Sequence, residues 1–129
     1  MNNDSYNLSM KITDKIIKDM EKLLNVASDF TRLKILHSLF DDHMCHDEHH
    51  NCGTCHCNKC MIERSVGEIV NIVGCSQSLV SHQLRVLKDN DLVASRKEGN
   101  KVYYSLKDGH IKLLLKVVTE HVLEEKDND

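Results

Sequence analysis

Four residues with metal-binding side chains, Asp108, His110, His121 and Glu124, fall within one stretch of helical periodicity near the end of the chain. Imidazole nitrogen and carboxylate oxygen suit zinc, which takes such donors at about 2.0–2.2 Å, with cobalt and nickel as competitors. One helix cannot close this set around a single ion. His110 and His121 stand eleven positions apart, which returns them to nearly the same face but separates them by roughly 16 Å along the axis. Two copies of the helix, antiparallel across a two-fold axis, meet the requirement: Asp108 and His110 of one chain then face His121 and Glu124 of the partner subunit. The spacing points to a homodimer with two shared metal sites. Each residue also has a plainer reading, Asp108 as the N-cap of the helix and the other three as solvated side chains beside a dimer seam.

A second concentration of donors lies at residues 41–63, DDHMCHDEHHNCGTCHCNKCMIE. Cys52-x-x-Cys55 and Cys57-x-x-Cys60 have metal-ligand spacing, and Cys45, His46, His49, His50 and His56 are further candidates. Only His56 separates the two pairs, whereas structural zinc sites hold their pairs further apart. The expectation is a compact thiolate site that accepts cadmium or copper(I) as readily as zinc. A disordered, redox-active or merely tolerated insertion is the alternative. Cys75 stands apart from this group and reads as a small packing residue.

The elements that must position these groups can be read from the rest of the chain. At 129 residues one domain is expected, with residues 1–10 and 126–129 as flexible ends and 41–63 as an insertion within 11–125. No apolar run approaches a membrane span, and MNNDSYNLSM lacks the parts of a signal peptide. A cytoplasmic location follows as an expectation. In that reducing compartment six cysteines and nine histidines read as ligands rather than as a disulfide framework.

Ile12, Ile16, Ile17, Met20, Leu23, Leu24 and Ala27 repeat at helical period, and a second helix beginning near Asp29 would bury Leu33, Leu36, Leu39 and Phe40. Both read as scaffold. Order resumes at Ser65, where Ser65 and Glu68 have capping-box spacing and Val66, Ile69, Val70 and Val73 face the core. Gly74 ends that helix and Ser76 caps the next, predicted over 77–88, whose Leu79, Val80, Gln83, Leu84 and Leu87 cluster on one side.

Two short helices joined by a tight turn form a helix-turn-helix pattern. Its second helix would turn Ser76, Gln77, Ser78, Ser81, His82 and Arg85 outward, a set suited to the major groove of DNA. Leu92–Arg96 and Val102–Leu106 read as strands around the turn Lys97–Lys101, and Arg96, Lys97 and Lys101 on such a wing would meet phosphates. Charge supports the reading: residues 76–106 hold five basic against three acidic side chains, a net +2 within a chain of net −3.

The segments SDFTRLKILHSL, SQSLVSHQLRVLKDNDLV and SRKEGNKVYYSL together resemble the ArsR/SmtB family of winged-helix, metal-sensing transcriptional repressors, over about residues 20–125. The resemblance implies a mainly α fold with a small β-hairpin, a homodimer joined through the first and last helices, and an operator released when metal binds. It implies that Asp108, His110, His121 and Glu124 correspond to the interfacial ligands of the zinc-sensing branch. It also implies a link from His121 to His82, the position that receives a hydrogen bond from a metal-bound histidine in related zinc sensors. This chain departs from the cadmium- and lead-sensing pattern, since Ser65 and Gly67 occupy the positions of that branch's cysteine pair and no cysteine precedes Cys45.

The function this predicts is a repressor that binds an inverted-repeat operator as a dimer and leaves it when zinc or a similar divalent metal binds. A cadmium-, copper- or redox-responsive regulator acting through the cysteine-rich segment, or a metal-buffering protein, are the alternatives. An enzyme is not expected, because no nucleophile is paired with a base and the terminal quartet leaves no open coordination position.

Overall fold

The computed structural model describes residues 12–40 and 61–127; the cysteine- and histidine-rich candidates from Cys45 to Cys60 lie outside the described residues. Helix α1 covers Asp14–Ala27 and α2 covers Phe30–Ser38, each opened by a side-chain cap: Thr13 accepts from the Ile16 N–H and Asp29 from the Arg32 N–H. The strand β1, Arg64–Ser65, leads directly into α3, Val66–Val73. Here both halves of the Ser65–Glu68 capping box are formed, and Gly74 takes φ 74°, a left-handed conformation in which glycine avoids the Cβ clash of other residues.

Helix α4, Gln77–Asp89, follows with Ser76 as its N-cap. The strands β2, Val93–Glu98, and β3, Lys101–Leu106, form an antiparallel hairpin, and α5, Gly109–Asp127, completes the described chain. The hairpin pairs Val93 with Leu106 through to Glu98 with Lys101, so its turn is only Gly99–Asn100, shorter than the expected Lys97–Lys101. Gly99 has φ 61° at the first central position, as a two-residue type II′ turn requires. The short β1 adds to the other side of β3, pairing Arg64 with Tyr104 and Ser65 with Tyr103, in the sheet order β1-β3-β2.

The core gathers Ile35, Leu36 and Leu39 of the α2 region, Ile69 and Val73 of α3, Val80, Leu84 and Leu87 of α4, and Leu92, Val93 and Leu106 around the hairpin. Ile111 and Leu115 bring α5 onto this cluster. Truncating a fully buried leucine such as Leu84 to alanine should cost about 2–5 kcal/mol.

Three sequence expectations need correction. Among the described residues no side chain of α1 is buried; Ile16, Ile17, Met20 and Leu24 are exposed, and Leu23, Val26 and Ala27 pack partly buried against the core. In α2 Leu36 is buried as expected and Leu39 follows it into the core, but Ile35 is buried beside them and Leu33 is exposed, because that helix carries apolar side chains on more than one face. Leu79 is likewise exposed, since it lies at the edge of the buried stripe that Val80, Leu84 and Leu87 form.

Candidate nucleic-acid interface and metal centre

The reader helix α4 is seated by its apolar side, with Val80, Leu84 and Leu87 buried, and this turns the opposite side outward. Gln77, Ser78, Ser81, His82 and Arg85 are all exposed on it, together with Ser76 at its start. The Ser76 side-chain oxygen accepts from the Leu79 N–H at 3.3 Å, so this hydroxyl caps the helix while keeping its own proton to donate. Small hydroxyls, an amide, an imidazole and a guanidinium on one helical face offer the donors and acceptors that base edges require.

Helix α4 is also tied by a polar contact that pattern reading did not find. Arg32 of α2 donates through Nη1 to Gln83 Oε1 at 3.0 Å and through Nε to the Val26 carbonyl at 2.6 Å. No sequence signal marked it, since the partners stand 51 positions apart and Arg32 has Asp29 three positions before it.

On the wing, Lys97 and Lys101 are exposed near the hairpin tip, as a phosphate contact needs. Arg96 is differently placed. Its Nε donates to Glu63 at 2.8 Å, its Nη1 donates to Glu98 at 2.6 Å, and its guanidinium lies 5.2 Å from the ring centre of Tyr103, its cross-strand neighbour. The hydrogen bonds that Glu63 and Glu98 accept from it raise its already high pKa, so it is charged at any working pH. Arg96 thus holds the residue preceding β1 against the wing, and Lys97 and Lys101 are left as the exposed lysines near the hairpin tip. Glu63 was not singled out from sequence, because the contact spans 33 positions.

Asp108 follows β3 and stands at the start of α5. Its Oδ1 accepts from the backbone N–H groups of His110, at 3.0 Å, and Ile111, at 3.1 Å, which makes it a helix cap. The His110 Nδ1 lies 3.9 Å from the same oxygen, and the His110 side chain is 87% exposed. His121 and Glu124 are exposed further along the helix. His110, His121 and Glu124 fall within about a quarter turn of one another around the axis, with Val117 between them and Leu113 and Leu114 flanking. Among the described residues no three acidic, histidine or cysteine side chains gather within one chain into a metal-holding group. The donor set still fits zinc, because the capping bonds use Oδ1 of Asp108 and leave Oδ2 as a ligand.

The positions where a cysteine pair would stand are also defined. Ser65 Oγ accepts from the Glu68 N–H at 3.3 Å and donates to Glu68 Oε1 at 3.1 Å, so it is committed to the capping box. Its backbone and side-chain hydrogen bonds hold the Glu68 carboxyl below its ordinary pKa. Gly67 is exposed. Cys75, a free thiol, packs half-buried against the core beside Val73, in keeping with a packing role. His37 is exposed and lies tilted against Phe40, with ring centres 5.7 Å apart at 47°. Among the described residues no helix is long and apolar enough to cross a membrane.

Residues 62–95, from the approach to β1 through α4 into β2, match the family model described as bacterial regulatory protein, arsR family. The chain is 33% identical over 107 residues to a cadmium resistance transcriptional regulatory protein CadC homolog of Staphylococcus aureus, covering 82% of this chain and 72% of that protein. It is 30% identical over 107 residues to a transcriptional repressor SmtB homolog of Synechocystis, covering 83% of this chain and 66% of the other. In three dimensions it is similar to the solution structure of a homodimeric winged helix-turn-helix DNA-binding domain from Mycobacterium bovis, with a TM-score of 0.67 at 19% identity over 100% of this chain and 94% of that one. That last likeness shows the fold alone. With the reader helix, the wing and the sequence identity in agreement, the chain belongs to the arsR family of metal-responsive, winged helix-turn-helix transcriptional repressors and is a DNA-binding regulator rather than an enzyme.

Proposed function

We propose that the protein is a homodimeric repressor that occupies an inverted-repeat operator in its metal-free form and leaves it when zinc binds between the two α5 helices. The observation that carries the reading is the placement of His110, His121 and Glu124, all exposed on one side of α5, with the carboxylate of Asp108 at its start. The helical rise separates the two ends of this set too widely for one chain to bring them together. A second, antiparallel α5 supplies the missing half.

Two unpartnered apolar surfaces support the dimer. Ile16, Ile17, Met20 and Leu24 of α1 are exposed, and so are Val117, Val118, Val122 and Leu123 of α5. Apolar surface of this extent at the first and last helices is what a subunit interface covers. The homodimeric state of the structural neighbour from Mycobacterium bovis agrees with it.

At DNA, Ser76, Gln77, Ser78, Ser81, His82 and Arg85 read base edges in the major groove, while Lys97 and Lys101 hold phosphates. Two-fold symmetry sets the half-sites about one helical turn, near 34 Å, apart. Asp108 and His110 of one chain with His121 and Glu124 of the partner subunit would hold the zinc, which would supply a link between the two α5 helices. The two readers are carried on the same rigid cores that α5 joins through Ile111 and Leu115, so a dimer fixed at α5 presents them at a different separation. Linkage requires operator DNA to weaken zinc binding by the same factor.

The named relatives leave the metal itself to chemistry. One is a cadmium resistance regulator, yet Ser65 and Gly67 supply no thiolate at α3, and the α5 donors are nitrogen and oxygen. These favour zinc, with cobalt and nickel as competitors, over cadmium. Footprinting on DNA selected by the protein from a random library tests the reading. An inverted repeat protected by the metal-free protein and released by zinc supports it; protection unaffected by zinc, cobalt and nickel contradicts it.

A further inference from the structure

The apolar seat of α4 fixes which side of the helix faces the core, but hydrophobic contact has no preferred direction, so it sets the fine angle of the helix less sharply. A hydrogen bond does have one. Gln83 lies at the flank of the buried stripe, half-buried and turned away from Ser78, Ser81 and Arg85. Its Oε1 accepts from Arg32 Nη1 at 3.0 Å.

The same guanidinium closes a different gap. Helix α1 ends without a basic residue in its last turn, and while Ser28 serves the carbonyls of Leu24 and Asn25, that of Val26 accepts from Arg32 Nε at 2.6 Å. A cation at this point also matches the negative end of the helix dipole. Because the guanidinium is a rigid planar fork, its two bonds are not independent: the direction of Nε toward Val26 fixes that of Nη1 toward Gln83. Arg32 is itself held by its position in the first turn of α2, where Asp29 Oδ2 accepts from its backbone N–H at 3.0 Å.

We propose that Arg32 is a positioning residue that sets the angle of the reader helix from the end of α1, and so fixes the relation between the two readers of the dimer. The inference rests on the reading of α1 as part of the subunit interface and of α4 as the DNA reader. Its consequence is specific. A small error in the angle of one reader is tolerated on a single half-site, where the subunit can shift to suit. On two half-sites at fixed separation the readers cannot both adjust, so the loss should fall on the full operator.

The test uses the full-length protein, a duplex selected by the wild type from a random library, and a duplex carrying one half of that sequence. Gln83→Met removes the acceptor at nearly constant size and leaves the reader face intact. Arg32→Lys keeps the charge but cannot span both partners. Each should weaken binding to the full duplex about tenfold, the scale of one hydrogen bond to a charged group, while half-site binding changes by less than about threefold. The double variant should be no weaker than the worse single, because both changes break one contact. Gln83→Glu, which keeps the acceptor, should restore the ratio of full-site to half-site affinity even though its charge lowers both.

Wild-type behaviour of Gln83→Met on both duplexes overturns the proposal, and so do losses that add in the double variant or fall equally on the two duplexes. Failure of the underlying reading looks different. A wild-type protein that selects no inverted repeat removes the paired reader itself, whereas an inverted repeat bound equally by wild type and Gln83→Met removes only the role of Arg32.

Discussion

Arg96 donates to Glu63 at 2.8 Å and thereby fastens the wing to the residue that precedes β1. The pair is half exposed, so it contributes little to stability, but it decides what the arginine is available for. Held also by Glu98 and lying over Tyr103, the guanidinium is a strut within the wing.

Glu63→Gln removes one of the two carboxylates and leaves the wing one unit more positive. DNA binding should then tighten a few-fold at low salt, with log affinity against log salt steepened by up to about 0.9, the contribution of one additional phosphate contact. Weaker binding with a flatter slope would show that Arg96 serves DNA only when Glu63 holds it.

One variant can separate the cap that Asp108 provides from its proposed role as a zinc ligand. Asp108→Ser keeps an oxygen to cap the N–H groups of His110 and Ile111 but removes the carboxylate, so the melting temperature should stay within about 2 °C of wild type while zinc affinity falls at least tenfold. Asp108→Ala should lose both, with a stability cost of about 1 kcal/mol. Undiminished zinc affinity in Asp108→Ser, measured by competition with a chromophoric chelator, would leave Asp108 as a cap alone.

The capping box of α3 should make stability depend on acid. The Glu68 carboxyl is held below its ordinary pKa by the Ser65 hydrogen bonds, so its contribution is fully present above the unfolded value and is lost as pH falls through the lower folded one. Thermal melts of wild type and Glu68→Gln should therefore differ at neutral pH and converge in acid. A gap that persists at low pH would assign the effect to side-chain shape instead.

Local signals in the sequence were reliable because their physics is local. Asp29, Ser65 and Ser76 cap the helices they were expected to cap, and Gly74 adopts the left-handed conformation that ends α3. The hairpin and the outward face of α4 could likewise be read from alternation and period. What escaped were the contacts between segments far apart in the chain. Arg32 meets Gln83 across 51 positions, and β1 is too short for any periodic signal, so its pairing with β3 could not be foreseen. Lys112 shows the same limit on α5: its side chain is buried although its type predicts the surface. Residue type misled in the opposite direction at Ile16 and Leu24, whose helical period predicts burial but which no element among the described residues covers.

The most direct test is a zinc titration of operator-bound protein, followed by fluorescence anisotropy, on wild type and on the His110→Ala/His121→Ala double variant. Both proteins should bind the metal-free operator with the same affinity within about threefold. Zinc should release the wild type, with a fall in affinity of about tenfold or more, the scale of a typical coupling between two sites, and should leave the double variant in place. Normal release of the double variant by zinc would contradict the assignment of the α5 quartet as the sensor.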